Sequence, residues 1–228
     1  MRGALRRCNR GSVGVLWGQS NANRCGNKSG SAAALGYSLP AGATYWENGG
    51  QLLSYTAPHL GPEVGIFHEA ITVAGRAGCT LIKRGIDGTS LGAWNSTHSA
   101  TLIADCATAG VIPQWGICVQ GEAEATTSES AANDWAADCV SVLADFRAAW
   151  GAGFGCVFVR IRTTDSAGYP WHANVRAEQD YMALNFANVG LTNVDDGEVD
   201  ADLVHYKGPT AVLAGRRAVR ILLDAGVF

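Results

Sequence analysis

The chain has 228 residues, 47% of them hydrophobic, with a formal net charge of −3. That length supports one large domain with a substantial core. The slight acidic balance argues against a nucleic-acid footprint, which needs a basic stripe, and no apolar run approaches the length needed to cross a bilayer. The basic start, with Arg2, Arg6, Arg7 and Arg10, reads as a solvated or frayed terminus. It runs at once into an apolar segment over residues 13–17, the first expected core strand, and not into a removable leader. The expectation is therefore a cytoplasmic or virion-associated protein, unless a leader was removed. Residues 23–50 are rich in Gly, Ser, Ala and Asn and read as one long loop.

Residues 63–75 follow as a helix, with Pro62 near its first turn. A second strand spans 80–86 and ends at Asp87-Gly88, and a helix over 99–109 stops at Gly110. A third strand within 113–119 closes on Gln120-Gly121-Glu122. The longest helix is expected over 130–150, and a fully apolar fourth strand over 156–161. A helix over 175–188, a short fifth strand over 191–194 and a closing helix over 210–223 complete the chain. Alternating strands and helices predict an α/β fold, a parallel sheet wrapped by helices. No linker, low-complexity tract or repeat divides the chain, so residues 1–228 are read as a single domain.

The seven cysteines are scattered and include no Cys-x-x-Cys pair. Reduced, buried thiols are the simplest account, with Cys8–Cys25 the one bridge worth considering. The five histidines show no metal-ligand spacing, so no metal and no cofactor is expected.

Three strand ends carry small or polar signatures: Gly18-Gln19-Ser20, Asp87-Gly88-Thr89 and Gln120-Gly121-Glu122. In a parallel sheet these ends lie side by side. Ser20 alone reads as a helix N-cap. Asp202-Leu203-Val204-His205 near the other end changes that, because Ser, Asp and His are the parts of a hydrolytic triad. Ser20 is then the nucleophile, His205 the base and Asp202 the carboxylate that orients it. Asp195, Asp196, Glu198 and Asp200 compete for the last role. The backbone N–H groups of Ser20 and Gly88 and the side-chain amide of Gln120 are candidate oxyanion donors. Three roles stay open for Glu122: substrate ligand, brace for the base, or a carboxylate favoured by a helix N-terminus. Trp94 and Asn21 are further candidates for contact with substrate. Trp46, Trp171 and Tyr169 also sit in or near loops, and aromatic faces suit sugar rings.

Taken in order, Gly18-Gln19-Ser20-Asn21, Gly61-Pro62-Glu63, Asp87-Gly88-Thr89-Ser90-Leu91 with Trp94, Gln120-Gly121-Glu122, Val175-Arg176-Ala177-Glu178-Gln179 and Asp202-Leu203-Val204-His205 resemble the SGNH-hydrolase superfamily. Within it they are similar to the carbohydrate esterase family 6 and sialate O-acetylesterase-like branch. The likeness runs over residues 13–223. It implies a flavodoxin-like, three-layer α/β/α sandwich with a five-stranded parallel sheet. It also implies a metal-free serine esterase that removes acetyl groups from sugars. The nucleophile falls on Ser20, the base on His205, the acid on Asp202, and oxyanion donors on Gly88 and Gln120. Two positions depart from the pattern: Ala22 stands where Met is usual, and Asp87-Gly88-Thr89 where Gly-Gly-Thr is more usual.

The expected partner is an acetylated glycan or small-molecule ester, with neither nucleic acid nor membrane. The alternative is a glycan-binding or virion-associated module of the same fold with little turnover. A lipase-like or thioesterase activity is a third possibility within the esterases.

Overall fold

The computed structural model describes residues 11–23, 32, 36–55, 60–164 and 167–227. The N-terminal arginines, His59 and the Cys8–Cys25 pair lie outside these residues. So do 24–31 and 33–35 of the expected long loop.

Strand β1 (Ser12–Gly18) leads into a single helical turn, α1 (Ser20–Asn23). Then come β2 (Ala43–Glu47), β3 (Gly50–Leu52) and α2 (Pro62–Phe67), which widens into a π-type turn over His68–Val73. Strand β4 (Cys79–Gly85) is followed by α3 (Leu91–Ala93), a second wide turn (Trp94–His98) and α4 (Ser99–Thr108). Strand β5 (Trp115–Val119) precedes α5 (Glu122–Thr127), α6 (Glu129–Asn133) and α7 (Trp135–Trp150). Last come β6 (Gly155–Val159), α8 (His172–Asn185), β7 (Val189–Thr192) and α9 (Gly208–Asp224).

The sheet has seven strands in the order β3-β2-β4-β1-β5-β6-β7, and it is mixed. This corrects the expected five-stranded parallel sheet. Five of the strands, β4-β1-β5-β6-β7, are parallel neighbours in the flavodoxin-like order 2-1-3-4-5. The other two form a hairpin over 43–52, which begins inside the stretch expected to be loop and runs past its end. Strand β2 adds to β4 in parallel, and β3 folds back on it antiparallel. Asn48 (φ 51°) and Gly49 (φ 82°) make the turn between them. Two successive positive φ values suit a tight hairpin, and Asn-Gly supplies them at little cost. That signal stood in the sequence, hidden by the polar composition around it.

Other differences are smaller. Asp134 separates α6 from α7, so the expected 130–150 helix is two, and α9, with 17 residues, is longer than α7, with 16.

Successive strand residues point to opposite faces, so each central strand feeds two cores. Val15 and Trp17 pack with Trp94, Trp135, Phe146 and Phe158 under α4, α7 and α8. Leu16, Ile117, Val119 and Val157 pack on the other face with Ile66, Phe67 and Val219 under α2 and α9. Helices α2 and α9 touch backbone to backbone. A Cβ on Gly65 would lie 1.9 Å from the Val212 carbonyl oxygen, and one on Gly215 would lie 2.0 Å from that of Pro62. Among the described residues no helix is long and apolar enough to cross a membrane. The five described cysteines are buried and free.

Candidate active site

Strands β1, β4 and β5 end together. Gly18 pairs with Gly85 on one side and with Val119 on the other. The loops leaving these three ends therefore meet in one crevice, beside the point where the order of the parallel strands reverses. Gly18 has φ 137°, and a Cβ there would lie 2.0 Å from the Val119 carbonyl oxygen. Only glycine lets the chain turn this sharply from β1 into α1. The turn brings Ser20 to the first position of α1, 6% exposed and facing the crevice.

The imidazole of His205 arrives from the loop before α9. Ser20 Oγ lies 3.0 Å from His205 Nε2. His205 Nδ1 lies 2.6 Å from Asp202 Oδ2. The other carboxylate oxygen, Oδ1, accepts from the Val204 and His205 N–H groups, both at 3.0 Å. Leu203 takes φ 64° between them. This tight turn lets a carboxylate three residues ahead reach the ring. Burial works to raise the Asp202 carboxyl, but the bonds from the His205 ring and the two N–H groups outweigh it and hold the pKa below the usual carboxylate value. An ionised Asp202 accepts from the His205 Nδ1–H, which leaves Nε2 to accept from the Ser20 hydroxyl.

Three of the four competing carboxylates are engaged elsewhere. Asp195 takes a two-pronged contact from Arg176, both bonds at 2.9 Å. Asp196 is held likewise by Arg217 at 2.6 and 2.7 Å, and Glu198 accepts from Lys207 at 2.9 Å.

Beneath Ser20 runs a buried polar web. Glu122 accepts from Gln19 Nε2 at 2.7 Å and from Asn21 Nδ2 at 2.6 Å. Burial raises the Glu122 carboxyl above its ordinary value, against the pull of the bond from Asn21 and of the nearby imidazole. Asn21 also donates to the Val204 carbonyl at 3.3 Å and accepts from the Tyr206 N–H at 2.9 Å. Those two residues flank His205. Asn21 is 2% exposed and faces this web, so it braces the two halves of the site instead of meeting substrate. Gln19 Oε1 accepts from the Ala123 N–H at 3.1 Å.

Gln120 does not reach the crevice. It is fully buried, and its amide donates to the Thr89 carbonyl at 2.7 Å, to Glu124 at 3.2 Å and to Gln19 at 3.3 Å. All three acceptors surround the nitrogen, so it has no N–H to offer an oxyanion. The backbone carbonyl of Gln120 accepts from Gln179 Nε2 at 3.0 Å. Trp94 is also fully buried, tilted against Trp17 with ring centroids 5.1 Å apart. It is a core residue and does not line the crevice. Trp46 and Trp171 pack against the same core.

The crevice holds about 420 Å³ and is lined by Ser20, His205, Gly88, Asp87, Thr126 and Tyr169, among others. Gly88 turns with φ 68°, and no atom lies within 4 Å of where its Cβ would be. Among the described residues, neither its N–H nor that of Ser20 has a hydrogen-bond partner. Sequence reasoning missed Thr126 and Thr127 of the wall, which carry no motif signal. Among the described residues no three His, Cys, Asp or Glu side chains gather as a metal site would require.

No protein-family model and no curated protein matches the chain. Solved structures do. A protein of Arabidopsis thaliana superposes with a TM-score of 0.76 at 14% identity, over 93% of this chain and 98% of that one. A carbohydrate acetylesterase from Xanthomonas citri gives 0.69 at 15% identity, over 92% of this chain and 56% of that one. An acetylxylan esterase from Geobacillus stearothermophilus gives 0.61 at 12% identity, over 95% of each chain. At such identities the likeness is one of fold: this chain shares with solved carbohydrate esterases an α/β architecture whose mixed sheet carries helices on both sides.

Proposed function

We propose that this protein is a serine esterase of the SGNH type that removes acetyl groups from carbohydrates through an acyl-enzyme. The observation that carries the reading is the line Ser20 Oγ–His205 Nε2 at 3.0 Å and His205 Nδ1–Asp202 Oδ2 at 2.6 Å. Residues 185 positions apart meet in hydrogen-bond order at the carboxyl edge of the sheet.

In the first half of the reaction, Ser20 Oγ attacks the ester carbonyl while His205 Nε2 takes its proton. The carbonyl oxygen becomes an oxyanion facing the free N–H groups of Ser20 and Gly88. As the carbon–oxygen bond breaks, the imidazolium returns the proton to the departing sugar hydroxyl. Water then attacks the acyl-enzyme by the same proton path, releasing acetate and restoring Ser20. Asp202 stabilises the imidazolium and keeps the ring in its tautomer. A small polar crevice with Thr126, Thr127 and Asp87 in its wall suits a short acyl group on a hydroxylated ring better than a long acyl chain.

The test pairs hydrolysis of 4-nitrophenyl acetate and of acetylated xylo-oligosaccharides with labelling by a fluorophosphonate probe. Turnover and labelling at Ser20, both lost in Ser20→Ala with the fold intact, are expected. Acetyl release that survives in Ser20→Ala, or sugar binding with Ser20 inert to the probe, overturns the reading.

A further inference from the structure

We propose that Asn23 is a positioning residue: it ties the end of the nucleophile helix to the Gly88 turn and so sets the spacing of the two oxyanion donors. This inference rests on the esterase reading.

Helix α1 is one turn long, too short to hold its shape unaided. Its last residue, Asn23, is gripped by backbone and side chain. Lys83 Nζ donates to the Asn23 carbonyl oxygen at 2.5 Å. A cation there meets the negative end of the helical turn. Lys83 itself is 1% exposed. It is fixed by Glu63 at 2.9 Å and by Glu47 at 3.6 Å, and Glu47 accepts from Tyr45 Oη at 3.2 Å. A buried ammonium that left these carboxylates would be uncompensated, so the anchor is stiff.

Below, Gly85 lets Asn23 sit directly on β4. A Cβ at that position would lie 2.5 Å from Asn23 Cα. On the other side, Asn23 Nδ2 donates to Asp87 Oδ1 at 2.9 Å. Asp87 immediately precedes Gly88. At its base this turn is already tied to the nucleophile turn, because the Ile86 N–H donates to the Gly18 carbonyl at 3.0 Å. The Asn23–Asp87 bond ties its tip. The N–H groups of Ser20 and Gly88 thus belong to two segments joined at both ends. Donors pre-set in this way stabilise a developing charge without having to reorganise.

The test is a side-chain exchange. Asn23→Asp faces Asp87 with a second carboxylate, and Asp87→Asn alone turns an anionic acceptor into a neutral amide. Together the two substitutions restore an amide–carboxylate pair with its direction reversed. On 4-nitrophenyl acetate Asn23→Asp should lower kcat by about tenfold to a hundredfold with KM little changed. The double variant should recover most of the kcat that Asn23→Asp loses, with Asp87→Asn as the reference so that the altered crevice wall cancels, a rescue that a merely local structural role does not predict. Hydrogen–deuterium exchange over residues 86–90 reads the same tie without turnover. Protection should fall in Asn23→Asp and return in the double variant. A double variant no better than Asn23→Asp, or unchanged protection in Asn23→Asp, overturns the proposal. A wild-type protein that lacks turnover overturns the esterase reading, and exchange then decides the tie on its own.

Discussion

The N–H of Tyr206 donates to Asn21 Oδ1 at 2.9 Å. Each of these residues stands one position beyond a proposed catalytic group, Ser20 in one case and His205 in the other. Ser20 and His205 are therefore not merely near one another; their flanking residues are laced together by the Asn21 side chain. Asn21→Ala would leave the buried Tyr206 N–H and a Glu122 oxygen without this partner. The expected result is a loss of about 2–3 kcal/mol in stability, read from urea unfolding, and a fall in kcat of at least about tenfold. Wild-type kcat in that variant would show that the lacing does not position His205.

Asp202 sets the next expectation. Its carboxyl is held below the usual range, so it is ionised throughout the neutral region. Asp202→Asn should lower kcat by about a hundredfold or more, because the amide no longer stabilises the imidazolium. An imidazolium without its carboxylate partner gives up its proton more readily, so the acid limb of the kcat/KM profile should move to lower pH. A pH–rate profile of the two proteins on one acetyl ester checks both points. An acid limb that stays in place would assign it to another group.

Glu69 predicts a pH effect on stability instead of on rate. This carboxylate is 2% exposed and accepts from Arg216 at 2.9 Å and Arg220 at 2.7 Å, joining the wide turn after α2 to α9. Burial raises its pKa, but the two guanidinium groups outweigh that and hold it below the ordinary glutamate value of 4.5. A lowered carboxyl stabilises the fold above the unfolded pKa, and that contribution is lost as pH falls through the folded value. Both arginines reach solvent, so Glu69→Gln should cost about 1–2 kcal/mol at pH 7. The difference from wild type should shrink below about pH 4.5. Urea midpoints measured across this range test it, and a difference that does not vary with pH would rule out the ion pairs as its source.

Two glycines separate crowding from composition. A Cβ at Gly85 would press on the Asn23 backbone from 2.5 Å, whereas one at Gly153 would meet nothing within 4 Å. Gly85→Ala should cost about 1–3 kcal/mol and lower activity together with stability, by displacing α1. Gly153→Ala, remote from the crevice, should change neither by a measurable amount. Melting temperatures and kcat for the pair make the comparison, and equal effects would contradict it.

Much of the site could be read in the sequence because its parts sit at strand ends. Short apolar runs such as 13–17 are legible, and the residues just beyond them land on one edge of a parallel sheet. That logic covers Ser20 and Gly88 but not Asp202 and His205, which stand on the loop before α9, well past the last strand. The direction of buried amides could not be read. Gln120 and Gln19 look alike as strand-end glutamines. Only packing shows that Gln120 turns its nitrogen inward to Thr89, Glu124 and Gln19, while Gln19 stands in the crevice wall. Trp94 misled for a related reason. It comes soon after a glycine turn, but the wide turn over Trp94–His98 rotates it into the core. The edge hairpin is hard to read because β3 has only three residues and the five of β2 stand among glycines and polar residues with no apolar alternation.

Closure of the molecule falls to its last helix. The backbone-close crossing of Gly65 with Gly215 seats α9, while Thr210 Oγ1 and the Glu198 N–H and carbonyl clasp the loop that delivers His205. Warming that unseats this one helix unhooks the imidazole while the strands are still paired. For the proposed esterase, the expectation is that heat extinguishes turnover some degrees below the collapse of the far-ultraviolet signal, and that cooling from that interval restores it.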